Sequence, residues 1–515
     1  MSLSPAAPQA ASQLAACPDQ NKGFLKVAIL TLVIYASLAV FYSTPALSTS
    51  RFNKELVVWP VTLGLLWSYW QGYKRLQKNA VPPGWILGVG AGLAILAVLI
   101  PPFHSTDMFG YVNRGWQQLH YHLNPYVYTI NDIPHWENDP MITNHWVNNP
   151  SPYGFLYLLI AKGLCLLGGG NRALTLSLFK LGNLLMHGLT ALLIWLGASQ
   201  LAKTQAQQPL APSTPMPVTA GPVLALYLYL WNPLILINTL ANGHNDIFMG
   251  FFVTLSALCA LIGAWLWILP ALMAATLMKY GAVVIFPLAL VFLIRQKAWG
   301  ALIGGIGLSV ILFLLAGQSF LPEWQQFHLS EINHNAFVTH GSLHSFLFIG
   351  FKTITKSLLP AAKPYLELVR SILKNLLLLS YGGFVLGLLW QRLRSHTPYP
   401  AGTLVRDALL VMSLLVSLIS LKFYPWYLGM FFPLALLLPE EDWLRRWVLV
   451  LSGAQLFSIT FIGQAHMLNF MVMTGLPTAW ILWHQQRERE LSAIAPENTP
   501  PSHSPLPNAF PEAEH

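Results

Sequence analysis

Apolar runs close to the length of a bilayer crossing recur along almost the whole chain, and no other feature narrows its fold as much. A helix needs roughly 20 apolar residues to cross the hydrocarbon core. Within lipid, only helices and closed barrels satisfy every backbone polar group. The runs lie near residues 24–46, 55–72, 84–101, 173–199, 221–240, 248–267, 281–294 and 298–316, and again near 375–391, 403–421, 427–438, 447–463 and 467–483. Two further pieces, 155–168 and 268–278, are short for full crossings and read as re-entrant or interfacial. Of the 515 residues only 9% are charged and 55% are hydrophobic, whereas a soluble domain carries about 25% charged residues. Such a chain cannot cover a globule with polar surface, so lipid must cover it. The expected fold is all-α, a polytopic transmembrane bundle of about 13–14 spans.

Four regions follow. Residues 1–22 and 490–515, rich in Pro, Ser, Ala and Gln, are expected to be disordered tails, the first cytoplasmic. Residues 23–316 form a first transmembrane module, and 317–489 a second with an extracytoplasmic loop at 317–345. Orientation follows the cations, which concentrate in cytoplasmic loops. Lys74, Arg75 and Lys78 place one loop inside, so the next, 102–153, faces outward with Arg114 its one cation. Arg295 and Lys297 mark another inner turn. Consistency then requires that 155–168 not cross, that 268–278 act as a half-span and that the Gln/Pro linker 203–220 be cytoplasmic. The run Lys352, Lys356, Lys363, Arg370 and Lys374 falls outside, against the rule. It is either an interfacial amphipathic helix or the sign of a further crossing.

The net charge of +9 does not indicate nucleic-acid binding, because the cations sit in short clusters between apolar runs. Cys17, Cys165 and Cys259 are too scattered for a disulfide or metal pattern. The box Leu14-Ala-Ala-Cys17 lacks the basic start and apolar stretch of a lipoprotein signal.

Chemistry-bearing residues gather in the outward loops. Residues 102–153 are dense in Tyr, Trp, His, Asn and Asp, too polar for hydrocarbon and too aromatic for a linker. Aromatic rings stack on sugar faces while amides, acids and imidazoles bind hydroxyls; an interfacial aromatic belt has a similar composition. Asp107 stands just past the 84–101 span, with Tyr111 one helical turn later. Desolvation at a bilayer boundary raises a carboxyl pKa toward that of a useful base; as a plain alternative, Asp107 is the N-cap of a short surface helix. Asn242-Gly-His-Asn-Asp246 is a second cluster, in which Asp246 is the one charged residue between Lys203 and Lys279. A lone acid at a span boundary is a functional candidate. Lys279 needs an anionic partner or water, and snorkelling is the bland reading. Phe423-Tyr-Pro-Trp-Tyr427, preceded by Lys422, lines a sugar groove or anchors a helix end. His328, His334, His340 and His344 match no metal-ligand spacing and read as surface histidines.

At this point the residues resemble a known family. A span ending in an outward acid and Tyr, then Asn-Pro-Tyr, then Tyr-Gly, is similar to the GT-C superfamily of membrane glycosyltransferases. More narrowly, TDMFGYVNRG (106–115), LNPY (123–126), PYG (152–154) and NGHND (242–246) resemble the bacterial polyprenol-phosphate-mannose-dependent α-1,6-mannosyltransferases, over about residues 84 to 300. The resemblance implies an inverting enzyme of the cytoplasmic (inner) membrane. It would move mannose from a polyprenyl-phosphate donor to a glycan or glycolipid acceptor on the extracytoplasmic face, with no cofactor required and a divalent metal left open. It makes Asp107 the catalytic base. Tyr111, Arg114, Asn124, Tyr126, Tyr153, His244, Asn245, Asp246, Lys279 and Trp426 become substrate-binding candidates, with Lys279 or Arg114 on the donor phosphate. Phe155 follows Tyr-Gly here, where the family commonly has proline.

The competing class is a secondary transporter of a polar solute, which also has many spans and a few intramembrane charges. Transporters bind near the midplane and show paired repeats, whereas here no repeat is evident and the polar residues collect on one side. A scaffold protein predicts no such clustering.

Overall fold

In the computed structural model the described residues are 18–48, 51–78, 81–206, 220–327, 341–358, 360–420, 422–457 and 469–494. Most of both expected tails, most of the linker 203–220, Cys17, and His328, His334 and His340 lie outside them. The described residues are 81% helical with no strand, the longest irregular stretch being the loop before α5. The main helices are α1 (Pro18–Ser43), α2 (Arg51–Lys78), α3 (Pro83–Leu99), α4 (Asp107–His120), α5 (Phe155–Gly168), α6 (Arg172–Ala206), α7 (Ala220–Leu230) and α8 (Asp246–Leu261). They continue as α9 (Ile268–Met278), α10 (Phe286–Arg295), α11 (Trp299–Gly317), α12 (Leu343–Ser357), α13 (Leu366–Arg394), α14 (Ala401–Leu414), α15 (Trp443–Leu456) and α16 (Leu476–Ile494). Helix therefore begins at Pro18 and persists to Ile494, inside the segments expected to be tails.

Six helices are long and apolar enough to cross a membrane, and five shorter apolar helices accompany them. The chain is a helical membrane protein. Leu, Ile and Trp side chains stand exposed along α1, α11 and α13, as lipid-facing surfaces require. The stretch Gly221–Ala241 is 94% buried and is the axis of the bundle, whereas Lys363–Arg394 is 6% buried and lies at its periphery.

The axial stretch is broken on purpose. Pro233 has no N–H to continue α7, and Asn232 accepts from the N–H groups of Leu234 and Ile235 at 3.0 and 3.2 Å to restart the helix. A π-turn over Leu236–Ala241 follows and delivers the chain to Asn242. Such turns recur at functional sites.

Contacts sort the charged groups into two ends. Arg75 packs beside Gly23, and Tyr73 lies near Glu440, Arg445 and Arg446. Arg406 pairs with Asp442 at 2.8 Å, Arg392 grips Asp407 at 2.7 and 2.9 Å, and Arg295 donates to the carbonyl groups of Leu393, Ser395 and Thr397. These groups share one end. Asp107, Asn242–Asp246, Lys279 and Lys374 are at the other.

This sorting resolves the ambiguous segments. Helix α5 packs along α4 and does not traverse the bundle, as the charge pattern required of 155–168. The Trp265 ring meets Phe292, three residues from Arg295, while Lys279 reaches the opposite end. Segment 265–278 thus joins the two ends, because a 3-10 turn at Trp265–Trp267 lengthens the piece expected to be a half-span. The basic run belongs with Asp107. Helix α12 is amphipathic, burying His344, Ser345, Phe348 and Thr355 and exposing Lys352 and Lys356, and α13 carries the chain from Lys374 to Arg392 at the other end.

Candidate active site

The site is assembled by backbone interactions at the end of α3. Lys180 of α6 donates to the carbonyl groups of Val98 and Ile100, a cation where the helix leaves its carbonyls unpaired. The Asn242 side chain accepts from the N–H groups of Phe103 and His104, both at 3.0 Å. This ties the connection into α4 directly to the Asn-Gly-His-Asn-Asp turn. Gly243 has φ +75°, and a Cβ there would come within 2.5 Å of the Met108 sulfur. Only glycine suits both demands. Asn183 clamps the turn from α6, donating to the carbonyls of Thr239 and His244 at 2.7 and 3.0 Å.

Thr106 holds the N-cap position of α4, without a side-chain cap hydrogen bond, and Asp107 is the first residue of the helix. Its own N–H donates to Ser105 Oγ at 3.1 Å, and its carboxylate, 17% exposed, faces His244 Nδ1 at 3.4 Å. Burial pushes this carboxyl up, yet His244, Lys279 and Ser105 together hold it below the ordinary aspartate value. The expectation of a raised pKa is therefore corrected: opposing charge and hydrogen bonds outweigh desolvation, and Asp107 stands ionised. His104 beside it is pushed down to about 4, chiefly by burial.

One helical turn on, the Tyr111 hydroxyl donates to Asn245 Oδ1 at 3.2 Å. Asp246 opens α8 and accepts from Lys279 Nζ at 2.6 Å, while its second oxygen has no hydrogen-bond partner among the described residues. Lys279 also lies 4.2 Å from the Tyr427 ring centroid. The anionic partner that the sequence demanded for Lys279 is thus Asp246. Trp426 stacks on His244 with centroids 3.9 Å apart and on Tyr424 at 4.4 Å, so the Phe-Tyr-Pro-Trp-Tyr cluster forms an aromatic wall.

These groups border a cavity of about 630 Å³. Asp107, Tyr111, Arg114, Tyr153, Asn245, Lys279 and Trp426 line it, and His244 and Asp246 pack directly behind. Asn124 and Tyr126 do not reach it. Asn124 donates to the Phe320 carbonyl at 3.3 Å and accepts from the Tyr126 N–H, and the Tyr126 hydroxyl contacts the Tyr153 carbonyl and Tyr280. That pair braces the loop from within, where an Asn-Pro-Tyr turn is tied to Phe320, just past the end of α11. Arg114 is engaged by Gln117 Oε1 and by the carbonyls of Trp146 and Asn149, so it shapes the cavity edge; burial pushes it down to about 10.

The folded loop also accounts for its aromatics. Trp116 and Tyr121 both donate to Asp139 at 2.7 Å, and Ile130, Ile133, Ile142 and Val147 form a small core of their own. Tyr111, Trp146 and Tyr153 are the tyrosines and tryptophan of the loop that face the cavity. Gly154, where the chain re-enters helix, donates its N–H to the Met278 carbonyl at 3.2 Å, and a Cβ there would lie 2.2 Å from the Leu277 carbonyl oxygen. A Gly154→Ala protein is therefore expected to lose about 1–3 kcal/mol of stability through overpacking, read as a lower unfolding temperature of the purified protein. Phe155, in place of proline, stacks on Phe320 at 5.3 Å.

Sequence reasoning missed His104, Trp146 and Ser420 as cavity residues, and placed His344 on the surface. His344 is 1% exposed and lines the cavity. It opens α12 on the buried face, which the spacing of the histidines alone does not reveal. Among the described residues no three His, Cys, Asp or Glu side chains come together as a metal-binding group.

A helical membrane protein with a carboxylate-bearing, aromatic-walled cavity at one end of its bundle fits the class of membrane glycosyltransferases. Residues 37–295, half of the chain, match the family described as alpha-(1->6)-mannopyranosyltransferase, N-terminal domain, and the chain belongs to that family. It is a membrane mannosyltransferase. No curated protein matches it.

Proposed function

We propose that this protein transfers mannose from a polyprenyl-phosphate donor to a hydroxyl of a glycan or glycolipid acceptor, with inversion, in the cavity beside Asp107. The observation that supports this reading best is the placement of an ionised, partly exposed carboxylate at the edge of a cavity with an aromatic wall. The Asp107 carboxylate takes the proton of the acceptor hydroxyl as its oxygen bonds to the anomeric carbon. The bond from that carbon to the phosphate oxygen breaks, and polyprenyl phosphate departs with the electron pair. The general-base step is worth typically 10²–10⁴-fold. His244, backed by Trp426, orients the carboxylate. Tyr424 and Trp146 offer faces on which sugars stack, while Trp426 is held between His244 and Tyr424 and presents its edge.

The orientation we infer puts this cavity outside the cytoplasmic membrane. Arg75, Arg295, Arg392, Arg394, Arg445 and Arg446 crowd the opposite end, as the positive-inside rule requires of the inner face.

Membranes holding the protein, incubated with polyprenyl-phosphate-mannose and a mannan primer, test the reading; absence of mannosylated primer counts against it. The pH profile is a second test. Asp107 acts as the ionised form and its pKa is depressed, so transfer stays flat near neutrality and falls only on acidification below the ordinary aspartate value of 3.8. His244→Ala removes a group that opposes the upward push of burial, and its acid limb moves to higher pH. An unshifted limb would show that His244 does not set the carboxylate.

A further inference from the structure

Building on that reading, the cavity has a portion of wall that it does not use. His344 at the start of α12, Lys374 on the third turn of α13 and Lys422 after α14 all line it. All three lie beyond residue 295, outside the family match. Among the described residues neither lysine forms an ion pair with a carboxylate. His344 sets Nδ1 3.1 Å from the Ile419 carbonyl, which leaves Nε2 buried with no hydrogen-bond partner among the described residues. Buried polar atoms are ordinarily paired, so this one points to a ligand.

The cations on the N-terminal part of the wall are already matched. Lys279 is neutralised by Asp246, and three acceptor oxygens hold Arg114. A departing phosphate needs positive charge that is not already compensated. Apolar side chains flank the three cationic or imidazole groups: Leu378, one turn beyond Lys374, and Ile419 line the same cavity. Past them α13 exposes Leu379, Leu386 and Trp390 along its length. An anion with a long apolar tail matches both features.

We propose that His344, Lys374 and Lys422 form the phosphoryl subsite of the lipid-linked donor. The C-terminal half then holds the leaving group and the N-terminal half activates the acceptor. Lys374 is exposed and Lys422 half-buried, so both tolerate substitution without loss of the fold.

Calorimetry on the full-length protein in nanodiscs would compare polyprenyl phosphate, inorganic phosphate and polyprenol, for wild type, Lys374→Gln, Lys422→Gln, the double variant and Lys374→Arg. Each Gln variant is expected to weaken polyprenyl phosphate about tenfold, the loss of one charge-assisted hydrogen bond. Polyprenol affinity should not change, and Lys374→Arg should restore binding. In turnover, KM for the donor should rise while KM for the acceptor stays constant. Polyprenyl phosphate binding far tighter than inorganic phosphate identifies a lipid headgroup as the source, and equal affinity a soluble phosphoryl compound; either supports the subsite. Unchanged polyprenyl phosphate affinity in the double variant overturns it. If wild type binds polyprenyl phosphate through these lysines yet transfers no mannose, the subsite stands and the donor–acceptor reading fails.

Discussion

Replacing Asp107 by asparagine is expected to lower kcat by two to four orders of magnitude, on the order of what a positioned general base contributes, while the protein still folds. Asparagine keeps the shape and can still accept from the Ser105 and His244 side of the site, but it has no charge with which to take a proton. The proposed general-base role makes this the position expected to be most sensitive. Asp107 is anchored through its N–H to Ser105, faces His244 at 3.4 Å and is open to the cavity. The measurement is single-turnover mannosyl transfer with the acceptor saturating, alongside thermal unfolding of the same preparation. An Asp107→Asn protein with an unchanged unfolding temperature and an unchanged turnover would end the proposal for this residue. Asp107→Glu moves the carboxylate by one methylene, and retention of a small part of the activity is expected from it.

The second large effect is one of stability. Lys279→Met leaves the Asp246 carboxylate, 3% exposed, without its cation. Removing one partner of a buried pair costs about 3–5 kcal/mol because the remaining charge is uncompensated. Helix α8 begins at Asp246, and its N-terminal N–H groups offset only part of that cost. The double variant Lys279→Met/Asp246→Asn removes both charges and should recover most of the loss. Thermal unfolding in nanodiscs of the two single variants and the double variant completes the cycle. If Lys279→Met unfolds at the wild-type temperature, the pair contributes nothing to the fold and Lys279 is held in place for another reason.

These two residues also show how far the primary structure reaches. Asp107 could be singled out because a charged residue just past an apolar run is rare and costly, a signal carried by local composition. Lys279 needed an anion for the same reason. That the anion is Asp246, 33 residues away, was not legible: α8 and segment 265–278 must first fold back on each other. Asn124 and Tyr126 illustrate the converse. They belong to the same polar loop as Tyr153, but their side chains turn inward to Phe320 and Tyr280, and only the packing of those two distant residues against the loop determines that direction. His344 looked like one of several loop histidines until the buried face of α12 placed it in the cavity.

The sequence by itself determined that this is a helical membrane protein, because hydrocarbon admits no other open-chain solution for apolar runs of that length. It also pointed to chemistry at the ends of a few spans around Asp107 and Asp246, since charges are scarce within the apolar runs themselves. Tertiary structure decided the rest. Whether a carboxylate is raised or lowered depends on which groups lie within a few ångströms. For Asp107 that balance is set by His244 and Lys279, brought in from turns far along the chain, and it leaves the group charged.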